Sequence, residues 1–408
     1  MKSVIVIGGG AAGLMAAGTA AKEGHRVTLI EKNKILGRKV LITGKGRCNV
    51  TNNCEINEFI ESVPVNGRFL YSAINAFTPK DTMNFFENLG VPLKTERGNR
   101  VFPVSDRSAD IVNALKKYNK GVNIIKGKVV KINCEDNIIT GVTAKTENGH
   151  LSFDADAVII ATGGLSYPTT GSTGDGYRFA KELGHTIIPP KPSLVPIETK
   201  EEWPKRLSGL TLKNVAIKVF DKNKKLVYSD FGEMLFTHFG VSGPIILSLS
   251  SHLRDIKGKN YTMSIDLKPA LDEGKLDARL LRDFNELKNK SLKNAMSKLL
   301  PSSMVLEFIN LLSADPDMKV NMITKELRKK IIYLLKNLDL TLSDLRPIEE
   351  AVITSGGVSV KEINPKTMES KLVSNLYFAG EVIDVDAYTG GFNLQIAFST
   401  GYLAAKNI

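Results

Sequence analysis

Residues 4–13 read Val-Ile-Val-Ile-Gly-Gly-Gly-Ala-Ala-Gly, an apolar run that passes directly into the pattern G-x-G-x-x-G. An amphipathic stretch ending near Glu23 follows, so the predicted order is strand, tight turn and helix. In this pattern Gly8 allows the turn, Gly10 lets backbone amides approach a pyrophosphate, and Gly13 lets the helix pack on the strand. The helix N-terminus attracts the phosphate charge.

A second apolar run supports this interpretation. Residues 27–30 form this run, and Glu31 follows it directly, eighteen positions after Gly13. An acidic side chain at this point can accept hydrogen bonds from an adenosine ribose. A lone G-x-G-x-x-G is weak, but strand, glycines, helix, second strand and acid occur here in order. The sequence therefore predicts a dinucleotide-binding β-α-β unit.

The composition is that of a globular protein. Of the 408 residues, 42% are hydrophobic and 24% are charged, and no stretch reaches the length of about eighteen apolar residues that a membrane span needs. The N-terminal apolar run leads into the glycine motif and has no room for a cleavage site, so we expect a cytoplasmic protein without a membrane partner. Three cysteines fit a reducing compartment and exclude a disulfide framework.

The net charge of +12 raises the possibility of a nucleic-acid partner. The lysines are scattered, however, and aromatic residues do not alternate with basic ones, which is typical of a solvated surface. We therefore expect a small-molecule substrate and no stable nucleic-acid partner. A basic surface favours phosphorylated or carboxylated ligands such as nicotinamide dinucleotides. The sequence alone sets no oligomeric state.

The pattern after the opening unit predicts an α/β fold. Residues 37–53 form a glycine-rich basic loop that is too polar for a core element. Helical periodicity returns at 79–89 and 108–118, and strand-like runs follow at 122–125, 128–132, 138–143 and 157–160. This alternation indicates a parallel sheet with an antiparallel β-meander beside it.

Four prolines within residues 189–196 indicate a domain crossing. Residues 210–267 read as short strands separated by polar turns, which predicts a small β-barrel or sandwich. Residues 271–336 show helical periodicity, and after them 348–353 and 376–380 are strand-like.

The C-terminal segment has the two features that a flavin site needs. Residues 376–384 form a strand that leads into an acidic turn, and residues 389–395 (TGGFNLQ) open an apolar helix. Groups at such a turn can bind the ribityl chain and pyrophosphate, and a helix N-terminus aimed at the pyrimidine end stabilises negative charge on the reduced ring. The alternative is a glycine-rich turn that caps an ordinary helix.

Further motifs match a known family. They are 37–39 (GRK), 43–52 (TGKGRCNVTN), 100–103 (RVFP), 163–168 (GGLSYP), 171–176 (GSTGDG), 235–238 (LFTH), 242–244 (SGP), 354–358 (TSGGV) and 389–395 (TGGFNLQ). With these motifs the chain resembles the BaiN-like family of NAD(P)/FAD-dependent oxidoreductases over essentially its whole length. Members are described variously as oxidoreductases, aminoacetone oxidases and a bile-acid-pathway flavoprotein, so the resemblance defines the cofactor better than the substrate.

The resemblance implies a glutathione-reductase-type FAD-binding Rossmann domain interrupted by a β-barrel domain that carries a helical insert. We assign residues 1–190 and 345–408 to the FAD domain, 191–270 and 337–353 to the barrel, and 271–336 to the insert. The expected contacts of non-covalent FAD are Gly8, Gly10, Ala11, Ala12, Gly13, Glu31, Lys32, Arg38, Lys39, Gly44, Arg47, Cys48, Asn49, Val129, Ala161, Thr162, Gly163, Gly380, Glu381, Asp384, Gly391, Phe392, Asn393, Leu394 and Gln395.

Cys48 and Cys54 lie where flavin disulfide reductases carry a redox-active pair. Those enzymes have four intervening residues and a second Rossmann motif, whereas this chain has five and no second G-x-G-x-x-G. We therefore predict that Cys48 is an ordinary small side chain near the flavin and that Cys134 is structural. No grouping of His, Cys, Asp and Glu shows metal-ligand spacing, so no metal is expected.

Without a second nucleotide domain, NAD(P)H must bind transiently over the flavin, or the organic substrate must reduce the flavin directly. We predict a hydride-transferring reductase that uses NAD(P)H. The alternatives are an oxygen-using amine oxidase of the aminoacetone type, or a flavin-binding redox sensor or RNA-associated flavoprotein. His238 is the candidate proton donor, with hydrogen bonding to its own loop as the alternative role, and Arg100 and Tyr167 are candidates for orienting the substrate.

Overall fold

The computed structural model describes residues 1–253 and 256–408. The chain divides into two compact units. Unit 1 comprises Met1–Leu194 and Pro347–Ile408, and unit 2 comprises Val195–Arg346. In the part of the chain that is described, no helix is long and apolar enough to cross a membrane.

The strands, in chain order, are β1 (Ser3–Ile7), β2 (Arg26–Glu31), β3 (Thr51–Asn52), β4 (Leu93–Glu96), β5 (Arg100–Pro103), β6 (Asn123–Glu135), β7 (Ile138–Thr146), β8 (Gly149–Asp154), β9 (Ala157–Ile160), β10 (Ile187–Ser193), β11 (Ile197–Thr199), β12 (Thr211–Phe220), β13 (Leu226–Thr237), β14 (Gly240–Ser242), β15 (Thr262–Asp266), β16 (Leu338–Leu345), β17 (Ile353–Val358) and β18 (Leu376–Phe378).

The α-helices are α1 (Ala11–Lys22), α2 (Arg38–Ile42), α3 (Ile56–Glu61), α4 (Tyr71–Ala76), α5 (Pro79–Asn88), α6 (Ser108–Tyr118), α7 (Asp175–Glu182), α8 (Trp203–Arg206), α9 (Pro244–Ser250), α10 (Ile256–Lys259), α11 (Glu273–Glu286), α12 (Leu292–Met296), α13 (Ser302–Leu311), α14 (Lys325–Lys336) and α15 (Phe392–Lys406). Short 3₁₀ turns occur at Thr43–Gly46, Gly67–Leu70, Pro168–Thr170, Val320–Met322, Ile348–Glu350, Val360–Glu362 and Gly380–Val382.

Unit 1 is built on a seven-stranded sheet in the order β18-β9-β1-β2-β6-β7-β8. The pairs from β18 to β6 are parallel, and β6, β7 and β8 form the antiparallel meander. Strands β1 and β9 are almost wholly buried, as expected for parallel strands covered on both faces. Helices α1 and α15 pack closely, since a Cβ on Gly401 would come within 2.5 Å of the Ala12 carbonyl oxygen.

Unit 2 contains a closed barrel in the order β11-β14-β13-β12-β15-β16. Helices α11 to α14 lie within the same unit, and their buried faces, with Leu280, Phe308 and Ile331, belong to one hydrophobic cluster with barrel residues such as Ile265 and Leu340. The predicted α/β class with a Rossmann sheet and a β-barrel is confirmed. The assignment of 271–336 to a separate insert domain stays a prediction.

Three local predictions need correction. Residues 37–53 are not one loop, because α2, a 3₁₀ turn and β3 form there, with Val40 and Val50 buried. Strand β6 runs unbroken through the two segments predicted at 122–132. Residues 348–350 form a 3₁₀ turn, and the strand begins at Ile353, because Pro347 fixes a turn-like entry.

Candidate functional site

The site follows from the register of the parallel strands. Ile7 pairs with Ile30 on one side and with Ile160 on the other, and Ile160 pairs with Phe378. The residues after these four therefore emerge side by side at the carboxyl edge of the sheet. In open α/β sheets, ligands bind in a crevice at this edge.

The glycine loop after β1 forms one wall of this crevice. A Cβ on Gly13 would overlap the carbonyl oxygen of Gly8, so the start of α1 can approach the strand only with glycine at this position. A Cβ on Gly10 would meet no atom within 4 Å, so the backbone at Gly10 faces open space. This is the cradle that a pyrophosphate requires.

Glu31 ends β2 with its side chain in the crevice. Its Oε2 accepts a 2.6 Å hydrogen bond from the Gly9 N–H, and its Oε1 accepts 2.7 Å bonds from both the backbone N–H and the side-chain amide of Asn33. The residue is 8% exposed. The carboxylate is therefore fixed against the glycine loop, where a ribose would have to lie.

The crevice is a cleft with about 1220 Å³ of empty space, including its open mouth. Sixteen of the predicted cofactor contacts line it: Gly8, Gly10, Ala11, Ala12, Glu31, Lys32, Arg38, Lys39, Val129, Ala161, Thr162, Gly163, Gly380, Glu381, Asn393 and Leu394. The hydroxyl of Thr162 is buried and has no hydrogen-bond partner among the described residues. That hydroxyl faces Gly176 on α7, and the open space at Gly10 is the part of the cleft that leaves room for a pyrophosphate. The residues present thus fit a dinucleotide.

Two ion pairs border the cleft. Lys32 pairs with Asp175 on α7 and also contacts the hydroxyl of Thr173. Lys39 on α2 pairs with Glu381, which follows β18, at 2.8 Å. Burial opposes ionisation of Asp175, but its hydrogen bonds to Lys32 and Thr173 prevail and lower its pKa.

Several predicted contacts do not line the cleft. Gln395 is wholly buried, and the hydrogen bonds of its side-chain amide are made to Thr51, Phe77 and Ser399. Asp384 is also buried, accepts a 3.0 Å bond from the Asn66 amide, and has a pKa raised by burial. Arg47 forms ion pairs with Glu96 and Asp106 instead. The others in this group are Gly13, Gly44, Cys48, Asn49, Gly391 and Phe392.

Cys48 is fully buried and is a free thiol, as is the half-buried Cys54. Burial raises the pKa of Cys48 to about 12 and that of Cys54 to about 11. A thiol with such a pKa is almost entirely protonated near neutral pH, so neither side chain is an activated nucleophile.

Within unit 1, Arg100 and Tyr167 are not among the residues that line the cleft. Arg100 is exposed on β5, and its Nε donates to the Arg97 carbonyl at 3.0 Å. Tyr167 has φ +50°, in the left-handed region, and its carbonyl accepts a 2.8 Å bond from the Thr170 N–H. His238 belongs to unit 2, where it is exposed at the turn between β13 and β14. Their roles stay predictions.

Sequence reasoning missed part of the lining. These residues are Ile7, Gly9, Ile30, Asn33, Ile35, Gly37, Val40, Thr43, Gly127, Lys128, Thr170, Gly171, Ser172, Asp175, Phe179, Val352, Ile353, Ala379 and Ala397. The motif GSTGDG at 171–176 contains several of them and could have indicated this wall.

The family of the chain follows from its similarity to known proteins. The sequence profile of the family described as the HI0933-like protein Rossmann domain matches residues 2–407. The chain belongs to this family. It is a BaiN-like family of FAD-dependent oxidoreductases, and the chain is an oxidoreductase enzyme.

Two curated relatives match this chain over nearly the full length of both proteins. One is a 3-dehydro-bile acid delta(4,6)-reductase from Clostridium scindens, 29% identical over 100% of this chain and 98% of the relative. The other is a ribosomal RNA dihydrouridine synthase from Haemophilus influenzae, 32% identical over 99% of this chain and 98% of the relative. Among solved structures, a 3-ketosteroid delta1-dehydrogenase from Sterolibacterium denitrificans is 13% identical, with a TM-score of 0.51 over 99% of this chain and 98% of that chain. This last likeness shows the fold alone.

Proposed function

We propose that this protein is an FAD-dependent reductase that adds hydrogen to a carbon–carbon double bond conjugated to a carbonyl group, with NAD(P)H as the electron donor. The observation that carries the cofactor part of the proposal is the cleft at the carboxyl edge of the sheet, with Glu31 fixed against the glycine loop and open space at the Gly10 backbone. The names of both curated relatives support reduction, and not oxidation, of the organic substrate, since each describes addition of hydrogen to a double bond.

The chain's own residues would hold the cofactor along the cleft. The glycine loop and the start of α1 would receive the pyrophosphate, and Glu31 would bind the adenosine ribose. Asn393 and Leu394, at the start of α15, line the cleft where a helix N-terminus favours negative charge. When bound, FAD supplies hydride transfer, and its reduced ring is negatively charged near neutral pH.

The overall reaction balances with one nicotinamide and one proton. NAD(P)H and a proton are consumed, and the product gains two hydrogen atoms across the former double bond. We propose His238 as the proton donor and Arg100 and Tyr167 as the residues that orient the carbonyl of the substrate. His238→Ala should then slow turnover and leave the bound-flavin spectrum nearly intact, whereas unchanged turnover would remove His238 from this role.

The decisive experiment is anaerobic stopped-flow absorbance near 450 nm. The flavin-loaded protein is mixed with NADH or NADPH, and the reduced enzyme is then mixed with a 3-oxo-Δ4 steroid or with buffer. We expect rapid bleaching by a nicotinamide and steroid-dependent return of the absorbance. Absence of bleaching by either nicotinamide, together with amine-dependent bleaching and peroxide formation in air, would overturn the reductase in favour of the amine oxidase.

A second candidate is reduction of uridine in RNA. It is favoured by the 32% identity to a ribosomal RNA dihydrouridine synthase over nearly the whole chain. The same reduced enzyme is offered a uridine-containing RNA, the free nucleoside and the steroid. Return of the absorbance with RNA alone, and a mass gain of two hydrogen atoms per modified uridine, would establish the RNA substrate. Reoxidation by the steroid alone would exclude it.

A further inference from the structure

The ion pair between Lys39 and Glu381 joins two distant parts of the sequence inside the cleft. Lys39 Nζ lies 2.8 Å from Glu381 Oε2, and the two side chains are 24% and 12% exposed. Nζ also donates a 2.6 Å hydrogen bond to the Ser166 hydroxyl. An ammonium has three N–H donors, and two of them are used by groups that the structure describes. One donor therefore remains for a ligand in the cleft.

Glu381 is held by a network of its own. Its Oε1 accepts from the Ser166 hydroxyl at 2.8 Å and from the Thr354 N–H at 2.9 Å. The Thr354 hydroxyl in turn accepts from the backbone N–H groups of Leu165 and Ser166 at 2.8 and 3.0 Å. The carboxylate is thus fixed on both oxygens, and it fixes the ammonium of Lys39.

We propose that Lys39 and Glu381 set the reduction potential of the bound flavin, with Ser166 and Thr354 as positioning residues. The proposal rests on the proposed function only for its cofactor, and not for the electron donor or the substrate. Glu381 follows β18, and in the sheet order β18-β9-β1-β2 it is separated from Glu31, at the end of β2, by β9 and by β1 with its glycine loop.

The physical reason is the charge of the reduced cofactor. Two-electron reduction with uptake of one proton leaves a negative charge on the ring, and a nearby cation stabilises that form in a partly desolvated cleft. Glu381 counteracts Lys39, so the pair acts as a dipole whose two ends push the potential in opposite directions. Removing one end at a time should therefore shift the potential with opposite signs.

The experiment measures the midpoint potential of bound FAD in flavin-loaded variants, by anaerobic titration against reference dyes. Lys39→Met should lower the potential and Glu381→Gln should raise it. Each change should alter the ratio of the dissociation constants of oxidised and reduced FAD at least tenfold, which is about 30 mV for a two-electron couple. The double variant should return near the wild-type potential, and Lys39→Arg should stay close to it.

The matched control is Lys32→Met. Lys32 also lines the cleft and also forms an ion pair, with Asp175, but at the wall where the adenosine would lie. It should change FAD affinity and leave the potential unchanged. A structural loss at Lys39 or Glu381 would instead weaken FAD binding without a sign-dependent shift.

An unchanged potential in Lys39→Met, or shifts of the same sign in Lys39→Met and Glu381→Gln, would overturn the proposal. If Lys39→Met cannot retain FAD, Glu381→Gln decides alone, because loss of the counter-ion should raise the potential and an unchanged or lowered potential would contradict the proposal. The titration uses neither a nicotinamide nor an organic acceptor. A protein that fails to reduce an enone can therefore still support the charge pair, and an active reductase with unmoved potentials would contradict it.

Discussion

Thr51 Oγ1 donates a 2.6 Å hydrogen bond to Gln395 Oε1 and so ties strand β3 to helix α15 across 344 positions of sequence. The Gln395 amide nitrogen donates to the Phe77 carbonyl and to the Ser399 hydroxyl, both at 2.9 Å. Gln395 is wholly buried. Its amide therefore anchors the helix from behind and does not face the cleft.

Gln395→Ala should consequently lower stability and leave FAD binding largely unaffected. The change leaves the Thr51 hydroxyl buried without its partner and opens a small cavity, which together cost about 2 kcal/mol or more. Urea unfolding of the variant, with Asn148→Ala on the exposed β7–β8 turn as the control, measures this loss. A variant of normal stability with strongly weakened FAD binding would restore Gln395 as a cofactor contact.

Gly391 precedes α15 with φ +97°, and a Cβ there would overlap the backbone of Thr51. Gly184 has a similar φ of +88°, but a Cβ there would meet no atom within 4 Å. Both Gly→Ala changes strain the backbone by about 1 kcal/mol, and only Gly391→Ala adds a collision with fixed main chain. We expect Gly391→Ala to be the less stable by at least about 2 kcal/mol in urea unfolding. Equal losses would show that the contact with Thr51 is not fixed.

Glu31→Ala should weaken FAD binding at least tenfold, about 1.4 kcal/mol, because it removes both a ribose acceptor and the group that fixes Gly9. Glu31→Gln retains one acceptor oxygen, so its affinity for FAD should lie between those of the wild-type protein and Glu31→Ala. Titration of apoprotein with FAD, followed by flavin fluorescence, gives the constants, and the exposed Glu61→Ala serves as the control. Identical affinities in all four proteins would place the ribose elsewhere.

Cys48 should resist alkylation in the folded protein. Its side chain is buried and burial raises its pKa to about 12, so the reactive thiolate is scarce at pH 8. Iodoacetamide labelling followed by mass spectrometry should modify Cys48 only after denaturation and Cys54 slowly, at a rate that rises with pH. Rapid labelling of Cys48 near neutral pH, or a Cys48–Cys54 disulfide in the purified enzyme, would revive the redox-pair hypothesis.

The parts of the fold that could be predicted from the sequence are those that are determined by residues close together in the chain. The apolar run at 4–7, the glycines and Glu31 lie within one continuous β-α-β unit, where period and turn chemistry act over a few residues. The prediction of one polar loop at 37–53 was wrong because Val40 and Val50 are buried in the core of the folded protein. Local polarity could not anticipate this.

The same distinction applies to the site. The sequence placed Lys39 and Glu381 among the cofactor contacts, but it could not show that they pair with each other through Ser166, because the three residues come from segments more than a hundred positions apart. Gln395 lies in a motif whose neighbours line the cleft. Its own side chain points to Phe77 because one face of α15 packs inward, and helix periodicity alone does not say which face that is.

Asp386 supplies a pH-dependent prediction. It is fully buried, with Oδ2 accepting a 2.7 Å bond from the Ser193 hydroxyl and Oδ1 without a hydrogen-bond partner among the described residues. Burial raises its pKa, the hydrogen bond from Ser193 opposes that rise, and the negative charges of Asp384 and Glu381 add to it. The folded protein therefore holds the Asp386 proton more tightly than the unfolded chain does.

The sign follows from this difference. Between the unfolded pKa, about 3.9, and the higher folded pKa, the folded state binds more protons, so the Asp386 contribution to stability falls as pH rises. Asp386→Asn imitates the protonated acid and removes this loss, so its stability relative to wild type should increase from pH 4 towards pH 7, by about 1.4 kcal/mol for each unit by which the pKa is raised. Urea unfolding across this range measures the trend, with the exposed Asp136→Asn as the control for loss of one carboxylate. A relative stability of Asp386→Asn that stays flat or declines with pH would mean that the Asp386 carboxyl is ionised at no cost in the folded protein.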